Sequence, residues 1–241
     1  MDNLLGEFLG TMFLIILGDG VVANVLLKKS KGENSGWIVI TTGWFIAVMV
    51  GIFVCQSAGA PQADINPAVT IGKWLVFGTY TAPQAIATMI VQVIGAFFGA
   101  IVVWLTYFAH WGGTEDQGAK LGIFSTGPAI RSTVWNSVTE IIGTMVLLIG
   151  VGAIFGAATT DGPVAGLGPY LVGALVWGIG LSLGGPTGYA INPARDLGPR
   201  IAHQLLPIAG KGGSDWGYGW IPVIMPLIGG VLGALVWSLV F

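Results

Sequence analysis

Six stretches of the chain, at about 4–27, 37–58, 84–108, 134–157, 167–185 and 220–241, are apolar over the roughly 20 residues that a helix needs to cross a bilayer. Two further apolar segments are too short to cross: 66–77 (NPAVTIGKWLVF) and 192–206 (NPARDLGPRIAHQLL). Each opens on Asn-Pro-Ala, at Asn66-Pro67-Ala68 and at Asn192-Pro193-Ala194. Asn is a favoured helix N-cap and Pro a favoured first helical residue, so both tripeptides are predicted to start helices. At about 1.5 Å per residue, each helix reaches roughly half way through the hydrocarbon. Non-helical backbone cannot face lipid, so the chain leading into each short helix must be buried in protein or line a water-filled path. These segments therefore predict an all-α membrane fold built around an internal pore or binding cavity.

The composition agrees with a bilayer environment: 54% of residues are hydrophobic, 8% are charged and mean hydropathy is +0.83. A formal net charge of −2 without a Lys/Arg cluster argues against nucleic acid as a partner. Cys55 is the only cysteine, which rules out an internal disulfide, and His110 and His203 lie too far apart for a zinc spacing; no metal, cofactor or catalytic set is expected. Acidic Asp2 and Glu7 stand where a signal peptide is basic, so the first apolar run is expected to be retained as a span. The connections 28–36 and 110–133 hold four of the six Lys together with Glu33, Glu115 and Asp116, and read as aqueous loops.

One short apolar segment alone reads equally well as an interfacial helix lying flat. Duplication favours a re-entrant pair. Glu7-Phe8-Leu9-Gly10-Thr11-Met12 matches Glu140-Ile141-Ile142-Gly143-Thr144-Met145, Trp44 matches Trp177, and Asn66 matches Asn192. Ile94-Gly95 with Gly99-Ala100 then matches Ile228-Gly229 with Gly233-Ala234, in the same order. The chain is thus expected to be a single channel domain, 1–241, made of repeat one (about 1–109), a linker (about 110–133) and repeat two (about 134–241). Three spans per repeat is an odd number, so the second repeat is inserted upside down and the two half-helices enter from opposite faces. Their positive N-terminal dipole ends and two Asn side chains would meet near the membrane centre, opposing cations and offering hydrogen bonds to a neutral polar molecule.

With both NPA motifs, a Glu opening each repeat and the longer NPARD form of the second motif, the chain resembles the major intrinsic protein family of aquaporins and glycerol facilitators over nearly its whole length. The resemblance implies six transmembrane helices plus two re-entrant half-helices and a passive, uncoupled channel. It also implies a homotetramer with one pore per subunit, in which Asn66 and Asn192 donate amide hydrogens to the solute. By similarity, the narrow outer filter is formed by Trp44, Gly180, Tyr189 and Arg195, with the guanidinium fork of Arg195 holding hydroxyls while its charge opposes ions and protons. Water-selective members carry His where this chain has Gly180, and Asp196, Arg200, Pro226 and Leu227 also match the glycerol-facilitator branch. The resemblance makes Glu7 and Glu140 acceptors for the backbone of the loops that position the half-helices.

The expected solutes are glycerol and other small uncharged molecules, with water co-permeant; dihydroxyacetone, lactic acid, urea, hydrogen peroxide or water as the main solute are the alternatives. The expected location is a cell membrane, surrounded by lipid, in the bacterial inner membrane with both termini cytoplasmic. Lys28, Lys29 and Lys31 then fall outside, against the positive-inside tendency. Two acids stand apart from the family pattern. Asp64 occupies a loop position where His is usual, which predicts an acid in the inner vestibule and pH-dependent flux; Asp19, in the first span, has no acidic counterpart in repeat two. An ion-coupled secondary transporter also uses inverted repeats and broken helices, but the two neutral Asn provide no ion-coordinating centre.

Overall fold

In a computed structural model, which describes residues 3–156, 163–164 and 166–240, the apolar stretches are helices α1 (Leu4–Leu26), α2 (Trp37–Ser57), α4 (Ala82–Thr106), α6 (Thr133–Phe155), α7 (Leu167–Leu183) and α10 (Ile221–Val240). The short segments are α3 (Pro67–Phe77) and α8 (Pro193–Leu205). Among the described residues, five spans are long and apolar enough to cross a membrane by length and composition; α7, at 17 residues, lies at the lower end of the spanning range. Helix α4 starts two residues earlier than its apolar pattern, because the Thr81 N–H donates to Gln84 Oε1 (3.0 Å) and Pro83 is tolerated in a first turn. Residues 157 and 241 of the predicted spans lie outside the described residues.

Half-helix α3 spans 11 residues and α8 spans 13, so at about 1.5 Å per residue neither crosses the hydrocarbon. Helix α3 stops at Gly78, whose φ of 63° is left-handed, with Thr79 N–H closing back on the Lys73 carbonyl at 3.2 Å.

The packing repeats across the two halves. Helix α1 lies against α2 and α4, and α6 against α7 and α10. Helix α2 meets α7 across the halves, while each half-helix packs on the last span of the other half, α3 on α10 and α8 on α4. Small residues permit these approaches: a Cβ on Gly95 would lie 2.3 Å from the Phe8 carbonyl oxygen, and one on Gly229 would lie 2.5 Å from that of Ile141. Phe8 and Ile141 are matched positions of the two repeats. Outward-facing Ile86, Ile90, Phe98, Ile228 and Leu232 remain exposed on the outer surface.

The connection 110–133 differs from the expected aqueous loop. It begins in a 3-10 turn, Phe108–Gly113, and contains α5 (Gln117–Phe124), which packs against α1 and α8. Trp111, Ile123 and Phe124 are buried there; these isolated apolar residues among charged ones draw the segment onto the bundle.

Candidate functional site

The chain enters each half-helix through backbone that L-residues rarely adopt. Ala63 (φ 43°) and Ile65 (φ 43°) precede α3, and Tyr189 (φ 40°) and Ile191 (φ 42°) precede α8, at matched distances from the two Asn. For a β-branched Ile this conformation is strained and persists only when its surroundings hold it. Two buried carboxylates do so. Glu7 on α1 accepts the N–H groups of Asp64 and Ile65, both at 2.8 Å. Glu140 on α6 accepts those of Ala190 (3.1 Å) and Ile191 (2.9 Å). Gln92 on α4 donates to the same Glu7 carboxylate at 2.8 Å and to Thr70 Oγ1 at 3.1 Å.

Beyond these loops the two Asn caps face each other. Asn66 Oδ1 accepts from Ala68 N–H (2.8 Å), and Asn192 Oδ1 accepts from Ala194 N–H (3.0 Å) and Arg195 N–H (3.3 Å). Each amide nitrogen then crosses to the other half: Asn66 Nδ2 donates to the Ile191 carbonyl and Asn192 Nδ2 to the Ile65 carbonyl, both at 2.9 Å. An amide NH2 has two donors, so each Asn retains a second N–H beyond this bond. Pro67, Ala68, Pro193 and Ala194 are buried within the half-helices.

Both Asn, together with Trp44, Tyr189, Arg195 and Asp64, line one cavity of about 360 Å³. Its walls are otherwise mostly aliphatic, including Leu14, Val48 and Ile52 on one side and Leu147, Val151 and Val176 on the other. Arg195 places its guanidinium carbon 4.3 Å from the Trp44 ring centroid, a cation–π contact. Behind it, Arg195 Nη1 is 3.7 Å from Asp19 Oδ1 on α1. Tyr189 meets Trp37 edge-on at 5.8 Å between centroids, and Trp37 Nε1 donates to the Gly180 carbonyl at 3.1 Å.

Gly180 is buried beside this group, but the space it leaves is occupied: a Cβ there would lie 2.7 Å from Tyr189 Cζ. Asp196 and Arg200 lie behind the cavity wall and pair with each other, Nε to Oδ1 at 2.7 Å. Asp196 Oδ2 also accepts from Thr126 N and Oγ1 (both 2.8 Å), and Arg200 donates to the carbonyls of Thr126 and Ser214 (both 2.8 Å). The pair therefore ties the 110–133 connection and the segment before α9 (Trp216–Gly219) to α8. Pro226 is buried and Leu227 half-buried on α10, and neither lines the cavity. Asp64 does line it, yet its carboxylate is engaged by Lys73 (2.6 Å), Thr70 Oγ1 (2.8 Å) and the Tyr80 hydroxyl (2.7 Å). Lys73, Tyr80 and Thr126 were not singled out by sequence. Each acts through a partner on another segment, and no local spacing signals it.

A family model described as "Major intrinsic protein" matches residues 1–237. A probable glycerol uptake facilitator protein of Thermotoga maritima is 58% identical over 241 residues, covering 100% of both chains. The glycerol uptake facilitator protein of Bacillus subtilis is 48% identical, over 98% of this chain and 84% of its own length. Among solved structures, the aquaglyceroporin from Plasmodium falciparum superposes with a TM-score of 0.85 at 28% identity, covering 99% of this chain and 96% of that one.

Proposed function

The chain belongs to the major intrinsic protein family, and on that premise we propose that it is a passive membrane channel for glycerol and other small uncharged solutes, with water co-permeant. The observation that carries this reading is the pair of opposed carboxamides, Asn66 and Asn192, each with one N–H bound to protein and one left over, in a cavity whose walls are mostly aliphatic.

The solute's hydroxyls meet the Asn amides and the Arg195 guanidinium, and its carbon side lies against Trp44, Tyr189 and the aliphatic wall. A neutral molecule exchanges its water hydrogen bonds for these. A cation meets instead two helix N-termini and an arginine, so neither electrostatics nor desolvation favours its passage. Asp196 and Arg200 shape the filter from behind, Pro226 and Leu227 place no aromatic at their two positions of the last span, and Gly180 makes room for the Tyr189 ring. The chain is a multi-pass membrane protein; we assign it to a bacterial plasma membrane, as a homotetramer with both termini cytoplasmic.

Proteoliposome swelling in a solute gradient tests the proposal. The expected result is glycerol flux far above lipid alone and indifferent to an imposed proton or sodium gradient. Flux that requires either gradient would replace the channel with a coupled transporter.

A further inference from the structure

Asp19 is fully buried on α1, and among the described residues both of its carboxylate oxygens and Arg195 Nη1 lack a hydrogen-bond partner. The nearest compensating charge is that guanidinium, 3.7 Å away. An acid at this depth is costly unless it faces a partner, and attraction across a low-dielectric gap is strong. The preceding residue is fitted to the same group from the other side: a Cβ on Gly18 would lie 2.3 Å from Trp44 Cζ3, so only glycine lets the indole rest against α1. One turn of α1 thus seats both Trp44, through Gly18, and Arg195, through Asp19.

We propose that Asp19 is a positioning residue that draws the Arg195 guanidinium toward α1 and over Trp44, and so sets the width of the filter. The inference rests on Trp44 and Arg195 forming that filter. An arginine has several rotatable bonds and five N–H donors. Without an anchor it extends into the cavity toward hydroxyls and water. With Asp19 behind it, Nη1 is committed to α1, and the remaining donors face the solute from a fixed place.

The test uses the full-length channel in proteoliposomes, with permeabilities for water, glycerol and a five-carbon polyol. Asp19→Asn keeps the shape and removes the charge. The five-carbon-to-glycerol permeability ratio should fall about fivefold, the size of a coupling between groups in contact. In an Arg195→Val background the same substitution should leave that ratio unchanged. An unaltered ratio in the single variant, or an equal fall in the Arg195→Val background, overturns the proposal. If Arg195→Val alone fails to accumulate because Asp19 is left without its cation, adding Asp19→Asn should restore the protein; no restoration also overturns it. A wild-type protein that conducts no glycerol sinks the channel reading instead, so the two failures are distinct.

Discussion

Asn66 and Asn192 each serve two purposes with one carboxamide: the oxygen caps a half-helix, and the nitrogen binds across the halves. Asn192→Ala removes both and leaves the buried Ile65 carbonyl without its donor. The cap is worth about 1 kcal/mol and the orphaned acceptor about 1–3 kcal/mol, so thermal unfolding in detergent should show a loss of that combined order. Asn192→Asp keeps the cap and loses the donor, and glycerol flux should fall more than stability. Trp44→Ala removes the face on which Arg195 stacks. It should change the relative permeability of water, glycerol and larger polyols more than it changes assembly, and identical ratios would remove Trp44 from the filter. The caps were legible because Asn-Pro is a local signal. The crossing bonds were not, since they join residues 125 and 127 positions apart. Gly180 illustrates a similar limit: its missing side chain is plain in the sequence, but the Tyr189 ring that fills the space is brought there by a backbone turn at φ 40°.

Each half-helix is held by an element outside itself. Glu7 and Glu140 take the N–H groups of strained loops, so replacing either by Ala leaves two buried donors unpaired, at about 1–3 kcal/mol each. Gln retains an acceptor oxygen. Glu140→Gln should therefore unfold at a temperature between those of wild type and Glu140→Ala. Lys73 on α3 and the fully buried side chain of Asp64, in the loop leading into it, form an ion pair. Lys73→Met strands that charge, and breaking such a pair costs about 3–5 kcal/mol, whereas adding Asp64→Asn should recover most of it. Failure of the second change to recover stability would show the pair to be incidental. Span boundaries were readable to within two or three residues because composition alone decides what lies in lipid. Helix α5 was not: it has eight residues, and the burial of Ile123 and Phe124 depends on contact with α1 and α8.

At the scale of the molecule, the order of matched residues in the two halves carried most of what could be foreseen, because an odd number of spans per repeat fixes their relative orientation. It did not foresee the partner of Asp19, which among the described residues is Arg195 of the opposite half. The apolar outer surface, with Ile86, Ile90 and Leu232 exposed, suits contact with lipid or with neighbouring copies. Mass measurement in detergent should give a protein mass of four times the 25.0 kDa chain; a single-chain mass would dismiss the tetramer. The exchange of partners between halves also bears on when contacts can form as the chain is made. Half-helix α3 leaves the ribosome about 150 residues ahead of α10, the helix on which it packs, and well ahead of the Ile191 carbonyl that its Asn66 needs. Until Ile191 emerges, the Asn66 amide nitrogen lacks the carbonyl it binds across the halves. Deleting α10 should therefore expose 67–77, far upstream, to protease. The passage at the centre of the molecule is the last structure to close, although its first wall is among the earliest residues translated.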